Sequence, residues 1–377
     1  MTDEERRDRL ILSRAEGIGP VSFRRLLMRY GTAAAALQAL PELSAKTGGG
    51  RFAAPSAAAI ERELAALAKL GGQMLILGEP EYPEVLADLP DAPVGLAVLG
   101  DAGLLSRRAV AVVGSRNASI NGLRMAEQLA ADLADAGLVV VSGLARGIDS
   151  AAHRGAMASG KTVAVVASGL NVTYPPENAD LQRQIAVQGA VVTEASLGTE
   201  PLARHFPRRN RIIAGLVMGV VVVEAAPKSG TLITAREAQE AGREVFAVPG
   251  SPLDPRAHGT NDLLRQGAIL VETAADVLDH LPRRPRDAGL FQSDEFRTKG
   301  LADAQDGFAP GTDQAEEAKK IIPGLLGPTP TDVDDLLRRC QFSPSAVMAA
   351  LLELELDGRI ILVAGNRVVT ADGLLCA

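Results

Sequence analysis

One stretch of the sequence reads Ala109-Val110-Ala111-Val112-Val113-Gly114-Ser115-Arg116, five apolar residues that lead directly into a glycine, a serine and an arginine. A short run that is apolar on both faces is typical of a strand buried inside a parallel sheet. Similar runs recur at residues 138–141, 162–166, 190–193, 217–223 and 244–248, and helical stretches at residues 121–136, 149–159 and 231–241 lie between some of them. This alternation predicts an α/β fold with a Rossmann-like, doubly wound and mostly parallel sheet.

Regions with a different pattern flank this core, which we place at residues 76–283. Residues 1–75 predict a small helical domain, in which Gly17-Ile18-Gly19 joins two helical stretches as in a helix-hairpin-helix element. Such a turn can present backbone N–H groups to a phosphate, or it can simply connect two packed helices. Residues 284–318, rich in Gly, Asp, Ala and Arg and without a sustained hydrophobic period, predict a linker.

Residues 319–377 predict a C-terminal winged-helix domain. One helical window covers residues 332–339, a second begins at Ser343-Pro344, and residues 360–363 and 367–370 predict a two-stranded wing. Winged helices often bind duplex DNA, but this second helix carries Glu353, Glu355 and Asp357 and no basic residue. Because these carboxylates repel phosphates, a protein-docking role is favoured over duplex binding.

The bulk composition narrows the class of protein. A net charge of -7 and a pI of about 5.3 argue against indiscriminate adhesion to nucleic acid. Cys340 and Cys376 lack the spacing of a zinc or redox site and the four histidines do not cluster, so we expect no metal and no cofactor. No apolar run approaches the roughly 18 residues that span a bilayer. The sequence therefore predicts a cytoplasmic protein with no membrane partner.

Small-residue loops follow several of the predicted strands. In an open parallel sheet, ligands bind beyond the carboxyl ends of the strands, so these loops should share one edge. Glycine permits close backbone approach, and helix N-termini carry partial positive charge, which suits a phosphate. The candidate residues in these loops are Gly114, Ser115, Arg116, Ser142, Gly143, Arg146, Lys228, Ser229, Gly230 and Thr231.

A strongly basic segment, His205-Phe206-Pro207-Arg208-Arg209-Asn210-Arg211, contradicts the negative net charge. Its three arginines could bind phosphates through charge-assisted hydrogen bonds, and Phe206 could stack on an exposed base. Alternatively, the arginines pair with Glu194 or Glu224, and Phe206 is buried against its own helix. Only 3% of residues are aromatic and tryptophan is absent, so base stacking must be sparse.

Several enzyme signatures are missing or incomplete. Gly114 does not begin a G-x-G-x-x-G motif, and the P-loop motif is absent from the sequence. His153 is predicted to pack inside a helix, because no serine or cysteine at matching spacing identifies a partner. Lys228-Ser229-Gly230-Thr231 with Glu237 partly resembles the Gly-Gly-x-Gly-Thr-x-x-Glu loop of Rossmann-like nucleotide phosphoribohydrolases, although the glutamate comes too late and the double glycine is missing. Such a hydrolase is the alternative function, and a purely protein-binding scaffold is a third.

As an ordered series, the motifs resemble the DNA-processing protein A (DprA/Smf) family. The resemblance extends over residues 82–271 and is carried by residues 112–116, 141–149, 152–153, 174–175, 206–213, 224, 229–236 and 242–250. It implies a cytoplasmic homodimer that is not an enzyme. It also implies a single-stranded DNA-binding recombination mediator, which protects incoming DNA and loads the recombinase RecA on it during natural transformation.

The resemblance also implies where the DNA would bind. It assigns DNA contacts to Gly114, Ser115, Arg116, Phe206, Arg208, Asn210 and Arg211, with Arg146, Arg204 and Lys228 as further candidates. Together with the loop residues and Arg209, these form the predicted single-stranded DNA site. A basic groove that follows the backbone, with a stacking ring, is what sequence-tolerant binding of a single strand requires.

Overall fold

The structure, a computed structural model, describes residues 1–46, 53–282, 312–327, 331–340, 342–357, 359–363 and 367–370. The chain divides into two compact units, the first formed by residues 1–10 and 56–288 and the second by residues 11–55 and 289–377. Across the described ranges, no helix combines the length and the apolar character needed to cross a bilayer. Cys376 lies outside these ranges, whereas Cys340 is buried.

The helices are α1 (Asp3–Ser13), α2 (Pro20–Tyr30), α3 (Ala33–Lys46), α4 (Ala57–Lys69), α5 (Glu84–Ala87), α6 (Ile120–Asp135), α7 (Ile148–Met157), α8 (Ala179–Gln188), α9 (His205–Gly215), α10 (Gly230–Glu240), α11 (His258–Arg265), α12 (Ala274–His280), α13 (Thr312–Leu325), α14 (Val333–Arg339) and α15 (Pro344–Leu356). The strands are β1 (Gly72–Ile76), β2 (Gly95–Gly100), β3 (Ala109–Val113), β4 (Val139–Ser142), β5 (Thr162–Val165), β6 (Ala190–Thr193), β7 (Gly219–Val222), β8 (Glu244–Ala247), β9 (Ile269–Leu270), β10 (Thr331–Asp332), β11 (Ile360–Val363) and β12 (Arg367–Thr370).

The first unit contains a sheet with the strand order β1-β2-β6-β5-β4-β3-β7-β8-β9. The strands from β6 to β9 in this order run parallel, and β1 and β2 add an antiparallel edge. The predicted doubly wound α/β fold is therefore confirmed, and all six predicted strands are present. The chain builds outward from β3 through β4, β5 and β6, then returns to place β7 on the other side of β3. This reversal makes the gap between β3 and β7 the topological switch point.

Apolar residues cover both faces of the sheet. Along β3, Val110 and Val112 pack with α6 and α7 on one face, while Ala111 and Val113 pack with α9 and α10 on the other. All positions of β3 are buried, as an apolar run without alternation predicts. Gly155 lets α7 pass close to α6, because a Cβ atom there would lie 2.0 Å from the Glu127 carbonyl oxygen.

The first unit begins earlier in the chain than the predicted core. Strand β1 pairs with β2, and α1 is tied to the segment after α4: the Arg9 guanidinium donates to the Leu77 carbonyl at 2.7 Å. Arg6 donates to the Met74 carbonyl and lies 2.8 Å from the Glu79 carboxylate. Thus the start of α1 and all of α4 pack with the α/β core, and the predicted domain boundary at residue 75 does not coincide with the boundary between the compact units.

The second unit contains the winged-helix region and the helices α2 and α3. Helices α14 and α15 and the pair β11–β12 occupy the predicted positions, and β10 adds a third strand in the order β10-β12-β11. The predicted winged helix is confirmed. Helix α13 begins at Thr312, inside the stretch predicted as a linker, and residues 283–311 lie outside the described ranges.

The acidic face of α15 is occupied by cations of the same unit. Glu353 lies 3.0 Å from Arg29 and 3.2 Å from Lys319, and Glu355 lies 3.2 Å from Arg25. Arg25 is buried, and burial lowers its pKa while the charge of Glu355 acts to raise it. Burial likewise raises the pKa of Glu355, and the charge of Arg25 acts to lower it. The carboxylates that disfavour phosphate binding thus hold α2 against α15.

Candidate functional site

The candidate site lies at the carboxyl edge of the sheet, where the chain reverses direction. The loop after β3 contains Gly114, Ser115 and Arg116, and α10 begins beside it: the Thr231 hydroxyl donates to the Gly114 carbonyl at 3.0 Å. The loop after β4 contacts the same segment, because the Ile148 N–H donates to the Ser115 carbonyl at 3.2 Å. The predicted convergence of the small-residue loops at one edge is therefore present for the loops after β3, β4 and β7.

A small cavity opens at this edge. Its lining includes Arg116, Gly143, Arg146, Ser168, Tyr174, Pro175 and Phe206. Four of the predicted site residues, Arg116, Gly143, Arg146 and Phe206, are thus brought together from three separate segments. Tyr174 and Pro175 belong to a motif of the family resemblance but were not predicted as contacts. Their place in the ordered series of motifs was the only sequence signal that could have found them.

The rings and guanidinium groups of the cavity contact one another. The Arg116 Cζ lies 5.0 Å from the centre of the Phe206 ring, a distance at which a cation and an aromatic face attract each other. The Phe206 and Tyr174 rings are 5.8 Å apart at an interplanar angle of 62°, an edge-to-face arrangement. Phe206 is half-buried and Tyr174 is 41% exposed. Phe206 is therefore neither a freely exposed ring nor fully buried.

Arg209 connects the ends of β4 and β5 next to the cavity. Its side chain is buried, and its Nη1 donates to the Val165 carbonyl at 2.6 Å and to the Gly143 carbonyl at the ends of β5 and β4. Burial lowers the pKa of Arg209 to about 10, while Asp149 acts to raise it, so this group remains a cation at neutral pH. Burial raises the pKa of Asp149, and the charge of Arg209 is the first of several effects that oppose this rise.

The basic segment forms the first turns of α9, which splits it into buried and exposed residues. Arg211 is buried and donates to the Glu194 carboxylate and the Asp91 carbonyl, and Asn210 donates to the Gly230 carbonyl at 3.4 Å. Arg208 is exposed, with Glu194 3.6 Å away. Arg208 and Arg211 thus lie beside Glu194, as expected if the arginines of the basic segment pair with that carboxylate. Arg209, Asn210 and Arg211 thus use polar groups in hydrogen bonds inside the protein, and their contact with DNA stays a prediction.

Glu224 is bound by Ser119 and not by an arginine of the basic segment. Its carboxylate accepts from the Ser119 hydroxyl at 2.5 Å and from the Ser119 N–H at 2.9 Å, where α6 begins. A carboxylate at this position is stabilised by the partial positive charge of a helix N-terminus. Glu224 therefore fixes α6 to the end of β7 and forms no ion pair with the basic segment among the described contacts.

The other predicted site residues lie around the same edge. Ser142 is buried and its hydroxyl donates to the Val112 carbonyl at 2.7 Å, whereas Arg146 and Arg204 are exposed. Arg146 lies 3.3 Å from Glu177. Lys228 and Gly230 are exposed, and the Ser229 hydroxyl caps α10. Leu144 and Lys228 have φ angles of 55° and 64°, which non-glycine residues seldom adopt, and such strain often accompanies a binding site.

Glu237 is the glutamate considered for the alternative hydrolase. Glu237 lies on α10 nearly two turns beyond Thr231. Burial first, and then the charges of Glu240 and Asp91, raise the pKa of Glu237, while Arg211 and Arg236 act to lower it. No group of three or more His, Cys, Asp or Glu side chains that could hold a metal ion occurs in the part of the chain that the structure describes.

His153 lies just beneath the site and makes stability dependent on pH. It is fully buried, with Nδ1 2.7 Å from the Thr162 hydroxyl, which confirms the predicted packing role. Burial first, and then the charges of Arg209 and Arg154, lower its pKa from 6.5 to about 3. The folded protein therefore keeps this ring neutral, while the unfolded chain takes up a proton once the pH falls below 6.5. The contribution of His153 to the free energy of unfolding is thus complete above pH 6.5 and is lost as the pH falls toward 3.

The variant His153→Asn keeps a donor near Thr162 but cannot titrate. We expect its free energy of unfolding to fall less than that of the wild type as the pH is lowered. The free energy of unfolding of the wild type relative to this variant should fall by about 2 kcal/mol between about pH 7.5 and about pH 5. Urea unfolding at the two pH values measures it. The opposite contribution of Asp149, whose raised pKa favours the folded state as the pH falls, is common to both proteins and cancels. An equal pH dependence in both proteins would contradict the assignment.

The fold and the edge site define a class: a Rossmann-like core, flanked in the sequence by helical and winged-helix regions, with cations and aromatic rings at the carboxyl edge of its sheet. Three family models match the chain in the same order. They are the DprA-like N-terminal HHH domain at residues 3–66, the DNA recombination-mediator protein A at residues 73–282 and the DprA winged helix domain at residues 307–366. The second match covers more than half of the sequence, and the chain belongs to the DNA recombination-mediator protein A (DprA/Smf) family.

Individual relatives agree with this membership. The chain is 39% identical over 323 residues to Protein Smf of Escherichia coli K12, covering 84% of this chain and 83% of the relative. It is 49% identical over 198 residues to the DNA processing protein DprA of Streptococcus pneumoniae, covering 52% of this chain and 70% of the relative.

Two solved structures are similar as well. The X-ray structure of the Streptococcus pneumoniae protein has a TM-score of 0.58 and 39% identity, over 67% of this chain and 83% of that chain. A structure of DNA processing protein A from Helicobacter pylori, described for its single-stranded DNA binding mode, has a TM-score of 0.50 and 30% identity, over 55% of this chain and 94% of that chain.

Proposed function

We propose that this protein binds single-stranded DNA at the Arg116–Phe206 cavity and acts as a recombination mediator rather than as a catalyst. The observation that carries the proposal is the convergence of Arg116, Arg146 and Phe206 on one cavity at the carboxyl ends of β3, β4 and β5. The family membership supports it, as does the single-stranded DNA binding of the Helicobacter pylori relative.

The charge distribution supports a focused interface. Against a net charge of -7, the exposed cations Arg116, Arg146, Arg204, Arg208 and Lys228 lie in the loops and the helix start at this edge. Guanidinium groups can bind phosphate oxygens in pairs, and exposed backbone N–H groups at the start of a helix favour an anion. Binding would therefore depend on the backbone of the strand more than on its sequence.

The cellular part of the proposal rests on the family. The protein would act as a cytoplasmic homodimer, protect incoming DNA during natural transformation and load RecA on it. Two protomers on one strand would raise the effective concentration of the second site, which compensates for few aromatic contacts in each. A RecA filament assay on DNA coated with a single-strand binding protein tests this part, and an unchanged filament rate in the presence of the protein would oppose it.

We expect Arg116→Ala to weaken single-stranded DNA binding about tenfold, because one charge-assisted phosphate contact is lost. The slope of log affinity against log salt should become shallower by about 0.7 for each phosphate contact removed. Fluorescence anisotropy with a labelled oligothymidylate at several salt concentrations measures both quantities.

Arg107→Ala is the matched control. Arg107 is an exposed arginine that precedes β3, so it lies at the opposite end of the strand that leads to Arg116. Its removal changes the net charge by the same amount but should leave the affinity and the slope nearly as in the wild type. Equal losses in both variants would mean that only the total charge matters, and the assigned cavity would then be wrong.

A further inference from the structure

We propose that Asn178 is a positioning residue of the site, whose buried amide holds the loop after β4 in the conformation that presents Arg146 to the bound strand. This role rests on the proposed function, because it acts on a loop that would contact the DNA. The loop, residues 143–147, contributes Gly143, Ala145 and Arg146 to the lining of the cavity.

The backbone of this loop adopts a conformation that contacts from outside the loop must hold. Leu144 has a φ of 55°, in the left-handed region that a leucine seldom adopts, and its side chain is fully buried. Such a conformation persists only where the surrounding contacts enforce it. The hydrogen bonds of the Leu144 and Ala145 backbone groups therefore bear directly on the position of the next residue, Arg146.

Asn178 supplies the contact at the strained residue. It is 7% exposed, and its Nδ2 donates to the Leu144 carbonyl at 2.8 Å and to the Ser150 hydroxyl oxygen at 2.9 Å. Because the amide nitrogen has two hydrogens, both of its donors are used. The two acceptors lie 34 and 28 positions away in the sequence, so the contact exists only in the folded chain.

Ser150 extends this contact to the next backbone groups of the loop. Its hydroxyl accepts from Asn178 and donates its single hydrogen to the Ala145 carbonyl at 2.6 Å. The Ala145 N–H donates to the Asp149 carboxylate at 3.3 Å. Asn178, Ser150 and Asp149 thus bind three successive polar groups of the backbone directly before Arg146.

Asn178 also connects this loop to a second part of the cavity lining. It ends the 3₁₀ turn Pro176–Asn178, which follows the lining residues Tyr174 and Pro175. Its N–H donates to the Pro175 carbonyl at 3.0 Å. The backbone of Asn178 is therefore fixed to one lining segment and its side chain to another, so this residue sets the spacing between them.

The substitution Asn178→Leu tests this role, because leucine has a similar volume but no donor. The Leu144 carbonyl would lose its partner, and we expect the affinity for a labelled oligothymidylate to fall about tenfold. Fluorescence anisotropy measures the affinity, at a temperature at which melting curves show the variants to be folded.

Tyr82→Phe is the matched control. Tyr82 is buried and its hydroxyl donates to the Pro93 carbonyl at 2.6 Å, so this variant also loses a buried hydrogen bond to a carbonyl. Tyr82 lies between β1 and β2, a segment that contributes no residue to the described lining of the cavity. The affinity of Tyr82→Phe should therefore remain that of the wild type.

A cycle of double variants separates positioning from a general loss of stability. If Asn178 acts through the loop, Arg146→Ala should weaken binding about fivefold in the wild type but less than about twofold once Asn178→Leu is present. Arg116→Ala, which changes the loop after β3, should weaken binding about tenfold in both backgrounds. A residue that only stabilises the fold would leave both effects unchanged.

The outcomes distinguish this role from the proposed function. If Arg116→Ala weakens binding but Asn178→Leu binds as the wild type, or Arg146→Ala has the same effect in both backgrounds or none, Asn178 does not position the loop and the function stands. If the wild type fails to bind single-stranded DNA, both fail. Should Asn178→Leu not fold, Ser150→Ala, which removes the hydroxyl between Asn178 and Ala145, replaces it in the same cycle with the same expectation.

Discussion

Arg209→Met is expected to destabilise the first unit by about 3–5 kcal/mol, the range for removing one member of a buried, charged network. Methionine has a similar length but no donors, so the carbonyls of Gly143 and Val165 would lose their partner. The buried carboxylate of Asp149 would lose the cation that opposes the effect of burial on its pKa. Urea unfolding at neutral pH measures the change.

Two further variants make this prediction specific. Arg183→Met removes an exposed arginine from α8 and should change stability by less than about 0.5 kcal/mol. Adding Asp149→Asn to Arg209→Met removes the unpaired carboxylate. The double variant should therefore lose less stability than the two single variants lose in total. If Arg209→Met unfolds at the same urea concentration as the wild type, Arg209 does not hold the ends of β4 and β5 together.

The second large effect is expected at Gly147, which connects the loop after β4 to α7. Its φ of 77° and ψ of -127° lie in a region that is essentially restricted to glycine. A Cβ atom there would lie 2.3 Å from the Ser115 carbonyl oxygen and 2.8 Å from the Arg116 carbonyl oxygen. Gly147→Ala must therefore displace the loop that carries Arg116. We expect a loss of about 2–3 kcal/mol in stability and of at least about tenfold in single-stranded DNA affinity.

Gly137→Ala is the matched control for this substitution. Gly137 also has a positive φ, of 96°, but nothing lies within 4 Å of the position of its Cβ. Replacing it should cost about 1 kcal/mol through backbone strain alone and leave DNA binding intact. If the two variants bind DNA equally well, the contact between the loops after β3 and β4 does not position Arg116.

The sequence predicted the centre of the sheet better than its edges. Strands β3 to β7 are buried at every position and β8 at all but Glu244, so their apolar runs are visible without knowledge of the fold. In contrast, β9 has only two residues, and β1 and β2 form an antiparallel edge whose pairing depends on contacts with α1 and α4. Helix α13 begins at Thr312, within residues 284–318, whose composition predicts a linker.

For the site, residue types were predictable but orientations were not. The basic segment showed that positive charge is concentrated, yet adjacent residues of a helix point in directions about 100° apart. Arg208 is exposed and Arg209 is buried for this reason. A buried arginine also needs acceptors, and those of Arg209 come from the ends of β4 and β5, far away in the sequence. The exposure of Tyr174 likewise depends on the fold, which its motif alone does not reveal.

The ion pairs between α2 and α15 make the two ends of the chain energetically dependent on each other. Deleting the N-terminal helices would leave Glu355, whose side chain is 22% exposed, without the guanidinium of Arg25. Deleting the C-terminal region would leave Arg25 without the Glu355 carboxylate. A truncation at either terminus would therefore change the stability of both regions. The contributions of the N-terminal helices and of the C-terminal region can be separated only with substitutions that neutralise Arg25 and Glu355 together.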